Sequence, residues 1–180
     1  SLLISQQVKS AVPYKIKPQK AEGDYLAFAG DARSLRFVSA LPIKGKQPEG
    51  FVYAKYQFKE EGSQGGRLIL YEEKALNKDF FAEEPKEELA VSLLEGVSSV
   101  RFEYFREEDP LNNHPEEWVE EWKAKDEKRL PKAFKMTIIR KNQKGKEEPP
   151  ITVLASLPAN RFEEVRTMPG RRIPGMPVTK

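Results

Sequence analysis

The segment LLEGVSSVRFEYF, residues 93–105, decides the fold of this 180-residue chain because its second half alternates in character. Val100, Phe102 and Tyr104 fall on one side of an extended chain, and the residues between them fall on the other. Side chains of a β-strand point alternately to its two faces, whereas those of a helix repeat about every 3.6 residues. The segment therefore predicts a strand, and with it a sheet that the rest of the chain extends.

The regions on either side of this segment repeat the strand pattern. Four β-rich stretches precede it, and two follow it around a polar, turn-like link. The glycines of GSQGG suit a hairpin connection within the first group. The predicted strands lie at residues 25–29, 34–41, 51–58, 67–71, 134–139 and 151–155. Residues 72–88 are charged and contain Pro85, so they predict a connecting excursion.

The first twelve residues, SLLISQQVKSAV, predict a short amphipathic helix. Leu3, Ile4, Val8 and Val12 recur at helical spacing, and the helix is expected to stop at Pro13. Isolated helices shorter than about 12–15 residues rarely persist in water. We therefore expect this helix to dock on the domain, or to be the remnant of a longer helix.

Together these elements predict an α+β fold, in which an N-terminal helix packs on two groups of antiparallel strands. A length of 180 residues suits one domain. Hydrophobic residues make up 38% of the chain, and they are clustered well enough to fill a core. We expect this domain to cover residues 1–157. Residues 158–180 are rich in proline and glycine, and they predict an extended tail.

Charge and cysteine content exclude several classes of protein. The 31 basic and 28 acidic side chains leave a net charge of +3, which gives no reason to expect nucleic-acid binding. The absence of cysteine excludes disulfides, thiolate metal sites and a cysteine nucleophile. Because no run of about 18 apolar residues is present, these 180 residues contain no membrane-spanning helix.

Motifs for catalysis and phosphate binding are also missing. The single histidine, His114, could act as the base of a serine triad, but the sequence contains no G-x-S-x-G motif to supply the nucleophile. The loop GSQGG lacks the Gly-Lys-Ser/Thr ending with which a P-loop holds phosphates. Oxygen donors at residues 109–117 leave calcium binding open, although their spacing matches no EF-hand. A rival enzymatic interpretation places an acidic site around Glu116 to Glu121, where two carboxyls would need opposed environments. We predict that the protein is not an enzyme and uses no cofactor or metal.

Trp118 and Trp122, in the sequence EEWVEEWK, lie four residues apart and would share one face in either a helix or a strand. Large aromatic side chains can anchor an otherwise charged segment in the core. The same pair, if exposed and coplanar, could bind a carbohydrate or a peptide. Both interpretations are compatible with the sequence.

The order of motifs between residues 93 and 157 resembles the minor pseudopilin J family of type II secretion systems. In that family, Leu-Leu-x-Gly-Val leads into a strand with Arg-Phe-x-Tyr, a tryptophan-bearing loop follows, and Leu-Pro-x-Ala opens the next strand. Here these motifs stand at residues 93–97, 101–104, 118–122 and 130–133. Upstream, AFAGDARSLRFVSA is similar to the family's Phe-x-Gly segment, at residues 28–30.

The resemblance implies a pilin-like fold and a non-enzymatic role in the bacterial periplasm. It also implies membrane attachment through a helix that continues before Ser1, and assembly with the I-type and K-type minor pseudopilins at the pseudopilus tip. The candidate partner interface consists of apolar helix residues and the two tryptophans: Leu3, Ile4, Val8, Val12, Trp118 and Trp122. Two rivals stay open, a type IV pilus minor pilin and a secreted β-rich module that binds a carbohydrate or peptide through the tryptophans.

Overall fold

The computed structural model describes residues 2–18, 23–44, 50–62, 65–76, 79 and 81–158. The tail predicted for residues 158–180 lies outside this range except for Pro158. Within the described ranges, the helices are α1 (Leu2–Lys9) and α2 (Ala124–Glu127). The strands are β1 (Lys15–Ile16), β2 (Tyr25–Leu26), β3 (Phe28–Gly30), β4 (Ser34–Ser39), β5 (Val52–Glu60), β6 (Gly66–Lys74), β7 (Ala90–Arg106), β8 (Glu117–Val119), β9 (Trp122–Lys123), β10 (Ala133–Arg140) and β11 (Ile151–Ser156).

A nine-stranded antiparallel sheet forms the body of the structure, and β1 and β2 pair separately. The sheet order is β11-β10-β7-β6-β5-β4-β3-β9, and β8 pairs with β7 beside this path. Strand β7 is 17 residues long, and its first half pairs with β6 while its second half pairs with β10 and β8. The predicted α+β, pilin-like fold is confirmed, and β7 joins the two groups of strands into one sheet.

The alternation that predicts β7 corresponds to a buried face and a more exposed face. Val100, Phe102 and Tyr104 are buried. Their cross-strand neighbours Phe134 and Met136 on β10 are buried beside them. Apolar pairs that face each other across two strands stabilise an antiparallel sheet, so these residues form the central part of the core.

Helix α1 covers this face of the sheet. Ile4, Val8 and Ala11 are buried in the same cluster as the sheet residues, and the helix contacts β11. A helix of 8 residues is too short to be stable alone, so burial of this stripe holds it in place. Neither helix in the described part of the chain is long and apolar enough to cross a membrane.

The helix is shorter than predicted because the chain leaves it to join the sheet. It ends at Lys9, and Ala11 forms an antiparallel bridge with Ser39 at the end of β4. The Ala40 amide donates to the Ser10 carbonyl oxygen over 2.9 Å. These contacts satisfy backbone groups that the end of a helix leaves without an intrahelical partner.

The second face of the sheet is covered by the segment that follows β6. Phe81 packs edge-on against Tyr53 of β5, with the two ring centroids 6.2 Å apart. Lys55 is buried on the same face of β5, where its ammonium group pairs with the Glu84 carboxylate. The excursion predicted for residues 72–88 begins later in the structure, because residues 72–74 belong to β6. Part of the rest does more than connect two strands, because residues 81–84 close this face.

Two residues of the family resemblance meet in the core, where Gly30 of β3 lies against Tyr104 of β7. The Tyr104 hydroxyl donates toward the carbonyl oxygens of Asp31 and Ser34, each 3.1 Å away. Burial raises the pKa of Tyr104 well above its ordinary value, and the Asp31 charge raises it further, so the hydroxyl stays protonated. A Cβ atom at position 30 would overlap the Tyr104 hydroxyl and ring, so glycine is required there.

We expect Gly30→Ala to lower the free energy of unfolding by about 1–3 kcal/mol, because the added methyl group overpacks the site against Tyr104. Urea denaturation followed by tryptophan fluorescence measures this change. Gly23→Ala is the matched control, since a Cβ at Gly23 meets nothing within 4 Å. Equal stability of the two variants would contradict the proposed role of the Gly30–Tyr104 contact.

The ion pairs of Glu84 predict a loss of stability in acid. The hydrogen bond from Lys55 lowers the pKa of Glu84, and the Arg36 guanidinium group lowers it further. The folded state therefore binds this proton less tightly than the unfolded chain does. The stabilisation is present above the ordinary pKa of 4.5 and is lost as the pH falls through the folded pKa.

Glu84→Gln tests this effect. We expect the variant to unfold more easily than the wild type at neutral pH, and the difference in unfolding free energy to shrink as the pH falls below about 4. Denaturant unfolding across this pH range measures the difference. Glu95→Gln, at an exposed position of β7, should keep the wild-type profile, and a constant offset for Glu84→Gln would refute the linkage.

Candidate functional site

A buried polar network fastens α1 to the sheet. The Gln7 side-chain amide donates to a Glu72 carboxylate oxygen over 2.7 Å and to the Leu41 carbonyl oxygen over 2.8 Å. The Gln7 side-chain oxygen accepts a hydrogen bond of 2.5 Å from the Tyr56 hydroxyl. Gln7, Tyr56 and Glu72 are all buried, so a lost partner would leave a polar group without water to replace it.

Glu72 also organises the chain that follows β4. The backbone amides of Ile43 and Lys44 donate to its two carboxylate oxygens over 2.8 and 2.7 Å. Burial raises the pKa of Tyr56, and the Glu72 charge raises it further, so the tyrosine stays a hydrogen-bond donor. Helix α1, residues 41–44 and strand β6 are therefore held together by one carboxylate.

This network has no counterpart among the sites predicted from the sequence. One signal for Gln7 was available, since it lies between Ile4 and Val8 on the side of the helix that the apolar stripe predicts to be buried. A polar residue in such a stripe requires a partner inside the protein. Glu72 has no comparable signal, because it stands next to Glu73 in the charged segment, residues 72–88, that the sequence predicts to connect two strands.

The exposed apolar surface of α1 lies in its first turn. Leu2 is 71% exposed and Leu3 is 58% exposed. Among the other interface residues predicted on the helix, Ile4 and Val8 lie inside the core, and Val12 is half-buried against a second hydrophobic cluster. The accessible part of the predicted interface on α1 is therefore Leu3, joined by Leu2, which was not among the predicted residues. Its role in partner binding stays a prediction.

The two tryptophans do not share a surface. Trp122 is 1% exposed, and its ring N–H donates to the Arg129 carbonyl oxygen over 3.1 Å. Trp118 is 37% exposed and packs edge-on against Phe105, with ring centroids 5.2 Å apart. The chain leaves the strand conformation between β8 and β9, so a spacing of four residues does not place both rings on one face. The exposed, coplanar pair required for a carbohydrate- or peptide-binding platform is absent at these two positions.

The Lys135 ammonium group covers part of the exposed Trp118 ring. Its nitrogen lies 4.4 Å from the ring centroid, a distance at which the positive charge is attracted to the π-system. The same ammonium group pairs with Glu103 on the neighbouring strand over 2.8 Å. Trp118 therefore lies at the edge of a charged sheet surface, and it is the accessible one of the two predicted tryptophans.

The chain between β7 and β8 forms the end of a β-hairpin. Arg106 of β7 lies opposite Glu117 of β8 in the strand register, and the backbones of Asp109 and His114 form an isolated antiparallel β-bridge. His114 is exposed, and the described residues contain no group of three histidine, cysteine, aspartate or glutamate side chains that could hold a metal ion. Among the donors considered for calcium, the Asn112 amide donates to the Asp109 carboxylate over 2.7 Å. This bond lowers the pKa of Asp109 and ties it into the turn.

The carboxylates of residues 116–121 are exposed and are paired in part with basic side chains. Glu117 lies 3.2 Å from an Arg106 guanidinium nitrogen, and Glu121 lies 2.6 Å from the Lys123 ammonium nitrogen. An acid–base pair for catalysis requires one carboxyl in an apolar environment and another in a polar one. These residues provide only the polar environment, so they do not meet the condition of the enzymatic rival.

A cavity of about 370 Å³ opens beside β2, β3 and α2. The buried side chains of Leu26 and Phe28 contribute to its apolar lining. At the rim, the Tyr25 hydroxyl donates to the Asp79 carboxylate over 2.5 Å, and the Lys125 ammonium nitrogen lies 5.4 Å from the Tyr25 ring centroid. These three polar groups at the rim therefore interact with one another.

Comparison with known proteins identifies one family. A family model described as "Type II secretion system (T2SS), protein J" matches residues 2–147. The matched range contains every helix and strand of the structure except β11. This match assigns the chain to the secretion family, whereas the sequence motifs alone also allow a type IV pilus minor pilin. No curated protein and no solved structure matches the chain.

Gln7→Ala tests how α1 is held. We expect the free energy of unfolding to fall by about 2–3 kcal/mol, because the buried Glu72 carboxylate and the Tyr56 hydroxyl each lose a partner. Gln6→Ala is the matched control on the exposed side of the same helix, and it should change stability by less than about 0.5 kcal/mol. Chemical denaturation of the two variants gives the comparison, and similar losses would mean that the network does not fasten the helix.

Proposed function

Because the chain belongs to the protein J family of type II secretion systems, we propose that it assembles with the I-type and K-type minor pseudopilins into the pseudopilus tip complex. Members of this family are structural components of the secretion machine, so the chain is a pseudopilin that faces the periplasm and acts through protein–protein assembly. The tip position and the two named partners are the proposal, and they rest on the resemblance of its motifs to the J-type subunit.

The structural observation that supports assembly through α1 is the exposed pair Leu2 and Leu3, on a helix that the core holds in place. The opposite side of α1 is held by Gln7 and by the buried stripe of Ile4 and Val8. Apolar side chains on a rigid element lose little conformational freedom when they are buried by a partner, so more of the hydrophobic gain remains as binding free energy. We expect this surface to pack against a helix of a neighbouring pseudopilin.

The proposal extends to membrane attachment. In the family that the motifs resemble, the N-terminal helix continues upstream of the periplasmic domain and lies in the inner membrane before assembly. We infer the same arrangement for this protein, with α1 as the periplasmic end of that helix. The first-turn residues Leu2 and Leu3 would then lie close to the helices of neighbouring subunits.

The assembly role is tested by mixing the purified protein with the soluble domains of the I-type and K-type pseudopilins encoded with it. Size-exclusion chromatography with light scattering should detect a complex with one copy of each subunit. Elution of this protein apart from both partners at roughly 10 micromolar would reject the tip-complex proposal.

Leu3→Glu should weaken formation of this complex at least tenfold, because a carboxylate at the interface must lose its hydration without gaining a partner. Isothermal titration calorimetry measures the change in Kd. Gln6→Glu is the matched control, since it adds the same charge at another exposed position of α1. If the two variants bind equally well, the first turn of α1 is not part of the interface.

A further inference from the structure

The β7–β8 hairpin presents one apolar side chain at its end. Leu111 is 96% exposed, more than any other large hydrophobic residue in the described part of the chain. The nine residues 110–118 around it are all exposed, so the hairpin extends beyond the body of the sheet. Single exposed leucines are common on protein surfaces, so exposure alone assigns no role to Leu111.

Several hydrogen bonds hold the turn that carries Leu111. The amides and carbonyl oxygens of Asp109 and His114 bond to each other over 2.8 and 3.0 Å. The Asn112 side chain donates to the Asp109 carboxylate over 2.7 Å, and Asn113 closes the turn in the left-handed conformation, with a φ of 54°. The leucine therefore stands on an ordered turn, and burying it would cost little backbone entropy.

Carboxylates flank the turn that carries Leu111. Glu108 and Glu116 flank the turn and are exposed, and the Glu116 charge also acts on the nearby Lys132 ammonium group. Asp109 adds a third carboxylate at the base of the turn. Arg106 and Arg129 lie on the inner side of the turn, beside Asp109. An apolar side chain flanked by carboxylates on its outer side complements an apolar pocket bordered by lysine or arginine. The same charges oppose insertion into a bilayer, because the surface of anionic lipids is also negative.

We propose that Leu111 inserts into a small apolar pocket, bordered by basic side chains, on one of the neighbouring minor pseudopilins. This inference rests on the proposed assembly role and adds a second contact surface, distinct in sequence and in structure from the first turn of α1. Trp118 lies on the stem of the same hairpin and extends this surface toward the sheet.

Leu111→Glu tests the contact in the mixture with the I-type and K-type soluble domains. We expect Kd to rise at least tenfold, because the variant loses the burial of a leucine and adds a fourth negative charge. Leu154→Glu is the matched control, since Leu154 is exposed on β11 and receives the same substitution. Both variants should keep the wild-type circular dichroism spectrum and thermal midpoint, because neither side chain is part of the core.

The charge requirement has its own test. In the double variant Glu108→Gln and Glu116→Gln, we expect Kd to rise and its dependence on salt concentration to become flatter than in the wild type. A loss of folding would not produce this change in salt dependence. If the double variant binds with the wild-type affinity and salt dependence, the partner surface is not basic and the proposal is wrong.

The outcomes separate this inference from the assembly role. If the wild type forms no complex, the assembly role and the hairpin contact are both rejected. If the complex forms and Leu111→Glu binds as tightly as the wild type, or no more weakly than Leu154→Glu, the hairpin contact fails and the assembly role stands. Two further results would also overturn the contact: self-association of the protein alone that Leu111→Glu abolishes, or Leu111-dependent binding to vesicles of phosphatidylethanolamine and phosphatidylglycerol.

Discussion

The buried carboxylate of Glu72 is the constraint on which the rest of the structure depends. A charge inside a protein is tolerated only when hydrogen bonds replace its water, and Glu72 obtains these from Gln7 and from the amides of Ile43 and Lys44. These bonds set the position of α1 against the sheet and the path of the chain after β4. They also determine which side of α1 faces inward, and consequently which leucines stay outside.

The positions of the two proposed contact surfaces depend on how Glu72 fixes α1 and on the length of β7. One is the first turn of α1, whose exposure is set by the rotation of the helix about its axis. The other is the hairpin that begins where β7 ends and returns through β8. Both stand on elements that the core holds in place. A subunit built in this way can meet its neighbours as a preformed body, which keeps the entropic cost of assembly low.

The sequence predicted most of the sheet, because its strands alternate wherever one face is buried and the other is more exposed. It failed where tertiary contacts replace that pattern. On β5, Tyr53 and Lys55 are both buried beneath residues 81–84, and a charged segment gives no sign that it will cover a strand. The spacing of Trp118 and Trp122 was also misleading, because a break between two short strands sends one ring inward and leaves the other outside.

The contact between α1 and β11 has a consequence for how the protein is made. Val153, Ala155 and Leu157, in and just after β11, share one core cluster with Ile4 and Val8 of α1. Contacts between residues far apart in the sequence form slowly, because a long chain must first be ordered. As the chain leaves the ribosome, the apolar side of the helix appears early and its last partners appear late. The domain can complete this core cluster only after β11 has been synthesised, so a prematurely ended chain would leave the apolar side of α1 exposed.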